Sequence, residues 1–187
     1  GLMPLIDRWV VRRAFEIIAE RKHHPRKIAS YAINLSGATI GDSDFVDFVA
    51  ALFAQHDVPP ALVCFEITET SAISNLDEAQ TFIARLREIG CSFSLDDFGT
   101  GMSSIAYLKH LPVDIIKIDG SFVKEILNSK VDRAMVEMIT KTAKIMQKQV
   151  VAEFVESLAI LDELRQIGVD YVQGYAIGKP VPVLTLD

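Results

Sequence analysis

Six short apolar runs along the chain each end in a polar or charged residue. In order they are IASYAIN ending at Asn34, LVCFE at Glu66, SFSLDD at Asp96 and Asp97, VDIIK at Lys117, VVAE at Glu153 and VDYVQ at Gln173. Each has the length of a buried strand, and segments of helical period lie between most of them. The pattern predicts strands over Ile28–Leu35, Leu62–Thr68, Cys91–Leu95, Asp114–Asp119, Gln149–Val155 and Val169–Gln173. The first predicted helix, Ile6–Arg21, places Ile6, Val10, Ala14, Ile17 and Ile18 on one stripe and stops at Pro25. A second, capped by Asp42 or Ser43, carries Phe45, Val49, Leu52 and Phe53 and ends at Pro59 and Pro60. Leu76–Ile89 turns Phe82, Leu86 and Ile89 inward and takes Gly90 as its C-cap. A short helix near Ile105–His110 follows, then Val131–Gln147 marked by Met135, Met138, Ile139 and Ile145, then Leu158–Ile167 closed by Gly168. The tail GKPVPVLTLD holds two prolines and cannot continue a central strand.

Alternating strands and helices imply a parallel sheet with right-handed crossovers. The expected fold class is α/β, a (β/α)8 TIM-type barrel. Such a barrel needs eight strands and about 250 residues. With six predicted strands in 187 residues, the missing two are expected upstream of Gly1, in a longer chain of which this is a fragment. Loops at the carboxyl ends of barrel strands build the active site, so functional residues at strand ends read as catalytic.

Half of the residues are hydrophobic, enough for one well-buried domain. The net charge of −6 does not favour non-specific binding to nucleic acid or to an anionic membrane. An anionic substrate would need cations supplied locally. Cys64 and Cys91 sit in apolar strand-like runs and read as small buried hydrophobes of a reducing cytoplasm. His23, His24, His56 and His110 do not cluster and read as solvated, as do the basic residues Arg12, Arg13, Arg21, Lys22, Arg26 and Lys27. No apolar run approaches the roughly 18 residues of a membrane span, and no signal peptide is visible.

Most of the strand-end residues are carboxylates. Converging carboxylates repel one another unless a cation sits among them, which points to a hard divalent metal site. Period two puts Glu66 on one face of its strand with Cys64, opposite Phe65 and Ile67; the bland reading of Glu66 is an ion pair with Lys117. Asp96 and Asp97 are adjacent, and the break into Phe98-Gly99 lets both turn toward one centre, with Asp96 bridging two ions and Asp97 holding one. Two metals about 3.5–4 Å apart clamp the attacking and leaving oxygens of a phosphoryl transfer. Gly99, Thr100 and Gly101 form a loop suited to closing over a ligand. Lys117, between isoleucines, is either a neutral nucleophile or a cation; the surrounding acids favour the charged form, near a phosphate. Asn34 offers an amide oxygen to a Mg²⁺ or Mn²⁺ shell. Glu153 and Glu156 are three apart in AEFVE, one suited to a metal or water and the other to a loop.

Read together, NLS at Asn34, EITET at Glu66, DDFGTG at Asp96, LPVDIIKIDGSFV around Lys117, AEFVE at Glu153 and QGY at Gln173 resemble the EAL-domain family of cyclic di-GMP phosphodiesterases, over nearly the whole chain. The resemblance implies one domain over residues 1–187, a modified barrel lacking its first strands, that opens cyclic di-GMP to linear pGpG with Mg²⁺ or Mn²⁺, two ions in all. It implies that Asn34, Glu66 and Asp96 ligate the first metal. Asp96 and Asp97, with Glu153, would hold the second and position the attacking water, with Glu153 as a general base. Lys117 would contact the water or the scissile phosphate, Glu69 would anchor the DDFGTG loop, Gln173 would support the site, and Glu156 would stand behind it. It further implies a homodimer, fusion to sensory or cyclase domains, and a location in the cytoplasm or on the cytoplasmic side of a membrane-bound sensor.

Two departures stand out. The Glu-Ala-Leu tripeptide belongs upstream of Gly1, together with the arginine motif that grips substrate phosphate, so this chain shows most of a catalytic site rather than all of it. The family usually has Gly between Ala-Glu and Val-Glu, where this chain has Phe154; Phe154 is expected to point away from the site if Glu153 points in. Two rival readings have their own discriminators. A non-catalytic cyclic di-GMP receptor would be favoured by loss of the upstream Glu. A barrel aldolase with a Schiff base on Lys117 would be trapped by borohydride, but acidic surroundings favour a protonated lysine.

Overall fold

The computed structural model describes residues 1–21, 28–100 and 105–182. The chain divides into two compact units: Gly1–Asp96 with the segment ending at Asp114, and Asp97–Thr100 with the chain from Ile115 onward. Among the described residues no helix is long and apolar enough to cross a membrane.

The first unit contains α1 (Met3–Arg21), β1 (Tyr31–Asn34), α2 (Gly37–Ile40), α3 (Phe45–His56), β2 (Val63–Thr68), α4 (Glu69–Ser74), α5 (Leu76–Ile89), the first five residues of β3 (Ser92–Phe98) and α6 (Ile105–Leu108). β1 pairs parallel with β2, and β2 with β3, so that Asn34 lies beside Glu66, Glu66 beside Ser94, and Thr68 beside Asp96. Register partners in parallel strands project to the same side, and the pleat alternates sides along each strand. One face therefore collects Ala32, Asn34, Cys64, Glu66, Ser92 and Ser94, all small or polar. The other collects Ile33, Phe65, Ile67, Phe93 and Leu95. That second face is apolar, and phenylalanines from the helices pack on its own two. Phe65 meets Phe93 at 5.7 Å and Phe45 of α3 at 6.3 Å, while Phe82 of α5 meets Phe93 at 6.1 Å.

α5 spans the predicted residues because both ends are signalled. The Asn75 side chain accepts from Glu78 N, and Gly90 leaves the helix at φ +111. α1 departs from the expectation. The buried stripe is Asp7, Val11, Phe15 and Ile18, whereas Ile6 and Val10 are 48% and 36% exposed. Ile18 is buried as expected, but the rest of the stripe is shifted by one residue, from Ile6, Val10 and Ala14 to Asp7, Val11 and Phe15, a turn of about 100° on a helix. The N-cap of α3 is also corrected. Asp44 precedes the helix without a side-chain cap, while the Asp42 carboxylate takes Arg8 at 2.8 Å and Asp44 N at 3.0 Å.

The second unit begins with the last two residues of β3, followed by β4 (Ile115–Ile118), α7 (Gly120–Lys124), α8 (Lys130–Ile145), β5 (Gln149–Ala152), α9 (Leu158–Ile167) and β6 (Tyr171–Val172). β4, β5 and β6 are parallel neighbours, with Lys117 beside Val151 and Val151 beside Tyr171. By the same alternation, Lys117, Glu153 and Gln173 fall on one face, and Ile116, Ile118, Val150 and Ala152 on the other. α8 buries Val136, Ile139, Thr140 and Ala143, and leaves two of its expected core marks, Met138 and Ile145, exposed. β6 is shorter than predicted because Val169 N donates to Leu164 O and so belongs to the C-terminal cap of α9. At the other end of α9, the Ser157 hydroxyl accepts from Ile160 N at 3.2 Å. Ser157→Ala should cost about 1 kcal/mol, seen as a lower denaturant midpoint at unchanged slope.

Candidate functional site

In the first unit, three predicted residues sit in the carboxyl halves of neighbouring strands. Asn34 ends β1, and the following Leu35 N donates to Glu66 O at 2.8 Å. Glu66 is 7% exposed on the polar face of β2, as its alternation with Phe65 and Ile67 predicted. Asp96 closes this unit's part of β3 and is half-buried. Glu69 opens α4 and is 1% exposed; Thr68 caps that helix by accepting from Ser71 N at 3.3 Å. Burying a carboxylate such as Glu66 is costly unless it is paired or binds a cation.

One residue that matters here escaped the sequence reading. Asp7 of α1 is 5% exposed, and its Oδ2 accepts from Ser36 N at 2.9 Å, Ser36 Oγ at 2.5 Å and Thr39 Oγ1 at 2.5 Å. It clamps the turn after Asn34. A signal was present: an acid sits four residues before Val11 and eight before Phe15, within an apolar stretch. His56 is a correction. Its Nε2 is buried, with no hydrogen-bond partner among the described residues, and its ring lies 6.5 Å from that of Phe15. Both cysteines are buried, and burial, then the neighbouring Cys64, push the Cys91 thiol up to about 12, which leaves it inert.

The second unit brings together Asp97, Lys117 and Glu153. Asp97 takes φ +54, so the chain kinks at this residue itself, and β3 runs on to Phe98 rather than stopping at Leu95. A carboxylate oxygen of Asp97 and one of Glu153 lie within 4.8 Å of each other. The Lys117 Nζ stands 2.7 Å from Glu153 Oε1, with both side chains largely buried. The pairing supports the charged form of Lys117 and counts against an aldolase lysine. Glu153, Phe154, Glu156, Gln173, Gly174 and Tyr175 line a pocket of about 260 Å³. Gln173 is fixed by its backbone, its N donating to Ala152 O at 2.9 Å and its O accepting from Val155 N at 3.0 Å. Glu156 is exposed at the pocket edge.

The loop after β3 is a tied turn in its described part. Thr100 Oγ1 donates to Asp97 O at 3.0 Å. Gly99 has φ +106, and a Cβ there would come within 2.8 Å of the Phe122 ring, so this position requires glycine on two counts. Gly101 lies outside the described residues. Paired carboxylates beside one ammonium form a hard oxygen donor set, which fits a divalent cation of the Mg²⁺ or Mn²⁺ type.

The sequence profile of the EAL domain family matches residues 1–180. Over 182 residues the chain is 44% identical to a cyclic di-GMP phosphodiesterase, PdeB, of Shewanella oneidensis, covering 97% of this chain and 21% of that protein. It is 38% identical to the cyclic di-GMP phosphodiesterase PdeF of Escherichia coli, covering 98% of this chain and 24% of that protein. The chain thus spans about a fifth to a quarter of the length of these relatives. Among solved structures, the PaMucR phosphodiesterase in complex with c-di-GMP superposes with a TM-score of 0.93 at 32% identity, over 100% of this chain and 75% of that one. The EAL domain of Mycobacterium smegmatis DcpA gives 0.92 at 32% identity, over 98% and 83%. The polar strand ends, the order of the motifs and these likenesses agree on one fold, a modified (β/α)8 barrel, and the chain belongs to the EAL domain family.

Proposed function

We propose that the protein hydrolyses cyclic di-GMP to linear pGpG. The observation that carries the reading is the meeting of Asp97 and Glu153 within 4.8 Å, with the Lys117 ammonium 2.7 Å from Glu153, beside a pocket open to a ligand. The ligand set proposed is Asn34, Glu66 and Asp96 for one divalent ion, and Asp96, Asp97 and Glu153 for a second, Mg²⁺ or Mn²⁺ in each case. Ions held there would polarise the phosphodiester and make water more acidic. Glu153 accepts the proton of the attacking water, and the ammonium of Lys117 keeps that carboxylate ionised and offsets phosphate charge. The water oxygen bonds to phosphorus and the bond from phosphorus to the 3′ oxygen breaks. The 3′ oxygen leaves with a proton from solvent, Glu153 returns its own proton to solvent, and the phosphate stays on the 5′ oxygen of pGpG. Gln173 and Glu156 shape the pocket wall, and the family resemblance adds Gly99, Thr100 and Gly101 as substrate-loop residues and Glu69 as a supporting acid. The family resemblance extends the proposal to a homodimer working in the cytoplasm. The greater length of the relatives supports fusion to sensory or cyclase domains.

The test is incubation of the full-length protein with cyclic di-GMP and Mg²⁺ or Mn²⁺, following pGpG by chromatography. Turnover that stops with a chelator, together with weakened Mn²⁺ binding in Asp96→Asn, is the expected result. Binding of cyclic di-GMP without turnover, with metal affinity unaltered in Asp96→Asn, would make the chain a receptor and end the enzymatic reading.

A further inference from the structure

We propose that Phe154 is a positioning residue that holds the Glu153 carboxylate against the Lys117 ammonium by wedging its ring over Gly120. The inference rests on the reading of Glu153 and Lys117 as catalytic machinery. Phe154 has φ +54, the left-handed region that any residue with a Cβ enters at a cost. Burial does not explain why the backbone stays there, since Phe154 is 49% exposed.

The ring's position does explain it. A Cβ on Gly120 would fall 2.1 Å from Phe154 Cδ2 and 2.6 Å from Cγ, so the ring occupies space that only glycine leaves. The Lys124 ammonium lies 4.2 Å from the ring centroid, a cation–π contact from the same short helix, α7. Gly120 is three residues beyond Lys117, and Phe154 directly follows Glu153. Between them, Glu153 N donates to Ile118 O at 3.4 Å as the last bond of the ladder. The ring therefore fastens the two strand ends one step beyond the ion pair. Without it, residue 154 gains by returning to negative φ, and the peptide rotation carries the Glu153 side chain away from Lys117.

Steady-state hydrolysis of cyclic di-GMP by the full-length protein tests this through Phe154→Ala, Phe154→Gly and Gly120→Ala. Phe154→Ala keeps the backbone cost and loses the wedge, so kcat should fall about tenfold with KM within about twofold. Phe154→Gly removes the cost, so its kcat should fall only about threefold. Gly120→Ala should lower kcat about tenfold in the parent by expelling the ring, and add almost nothing on top of Phe154→Gly. This last comparison holds even if Phe154→Ala fails to fold. A residue that merely packed would give the opposite order, glycine at or below alanine, because glycine removes as much contact and loosens the backbone. That order, equal losses from Gly120→Ala in both backgrounds, or a raised KM at unchanged kcat would each overturn the proposal. Glu153→Gln separates the two levels. If it retains parental activity, the functional reading itself fails. If it abolishes turnover while the Ala and Gly variants break the predicted order, the wedge alone fails.

Discussion

Replacing Glu153 by Gln in the full-length protein should slow hydrolysis of cyclic di-GMP by about a thousandfold, within the range that a positioned general base supplies. The substitution keeps the shape of the side chain and an oxygen for Lys117, now 2.7 Å away, but removes the negative charge and the proton acceptor. The loss should appear in single-turnover kinetics as a slower chemical step, with substrate affinity changed much less. Mn²⁺ affinity should fall as well, because Asp97 would lose the carboxylate that meets it within 4.8 Å. A drop of less than about tenfold would remove Glu153 from the reaction.

The second large effect is on stability and lies in the first unit. Asp7→Ala should destabilise the α1–β1–α2 region by about 3 kcal/mol, because three donors on Ser36 and Thr39 lose their shared acceptor in a buried place. Hydrogen exchange reads the effect locally: protection of amides in α1 and β1 should fall by about a hundredfold. Asp7→Asn keeps an acceptor oxygen without its charge and should lose about half as much. Since Ser36 follows Asn34 by two residues, the same variant should weaken metal binding through the disordered turn. Unchanged protection in Asp7→Ala would mean that water replaces the carboxylate at no cost, and that this clamp does not hold the turn.

The elements legible in the sequence are those whose ends are punctuated. α5 and α9 match their predicted spans because Asn75 and Ser157 cap them and Gly90 and Gly168 release them at positive φ. The strand-end residues were legible for a different reason, an abrupt change from apolar to charged where a buried run meets the rim. α1 was misread because it carries apolar side chains on several faces: Leu5, Ile6, Trp9 and Val10 are exposed alongside the buried Val11, Phe15 and Ile18. Periodicity alone could not choose between stripes one residue apart. Asp7 was hidden by that choice, since its three partners come from residues 29 and 32 positions away. The left-handed backbone at Asp97 had a weak signal, since Asp enters that region more readily than most residues, whereas Phe gives none and the stabilising contact for Phe154 comes from Gly120 on another element.

The most direct measurement is anomalous diffraction from crystals of the full-length protein grown with Mn²⁺. Peaks touching the carboxylates of Asp97 and Glu153 are the expected result, with further ligands from Asn34, Glu66 and Asp96. Crystals that hold Mn²⁺ elsewhere, with no peak at Asp97 and Glu153, would contradict the claim that these acids converge in order to bind cations.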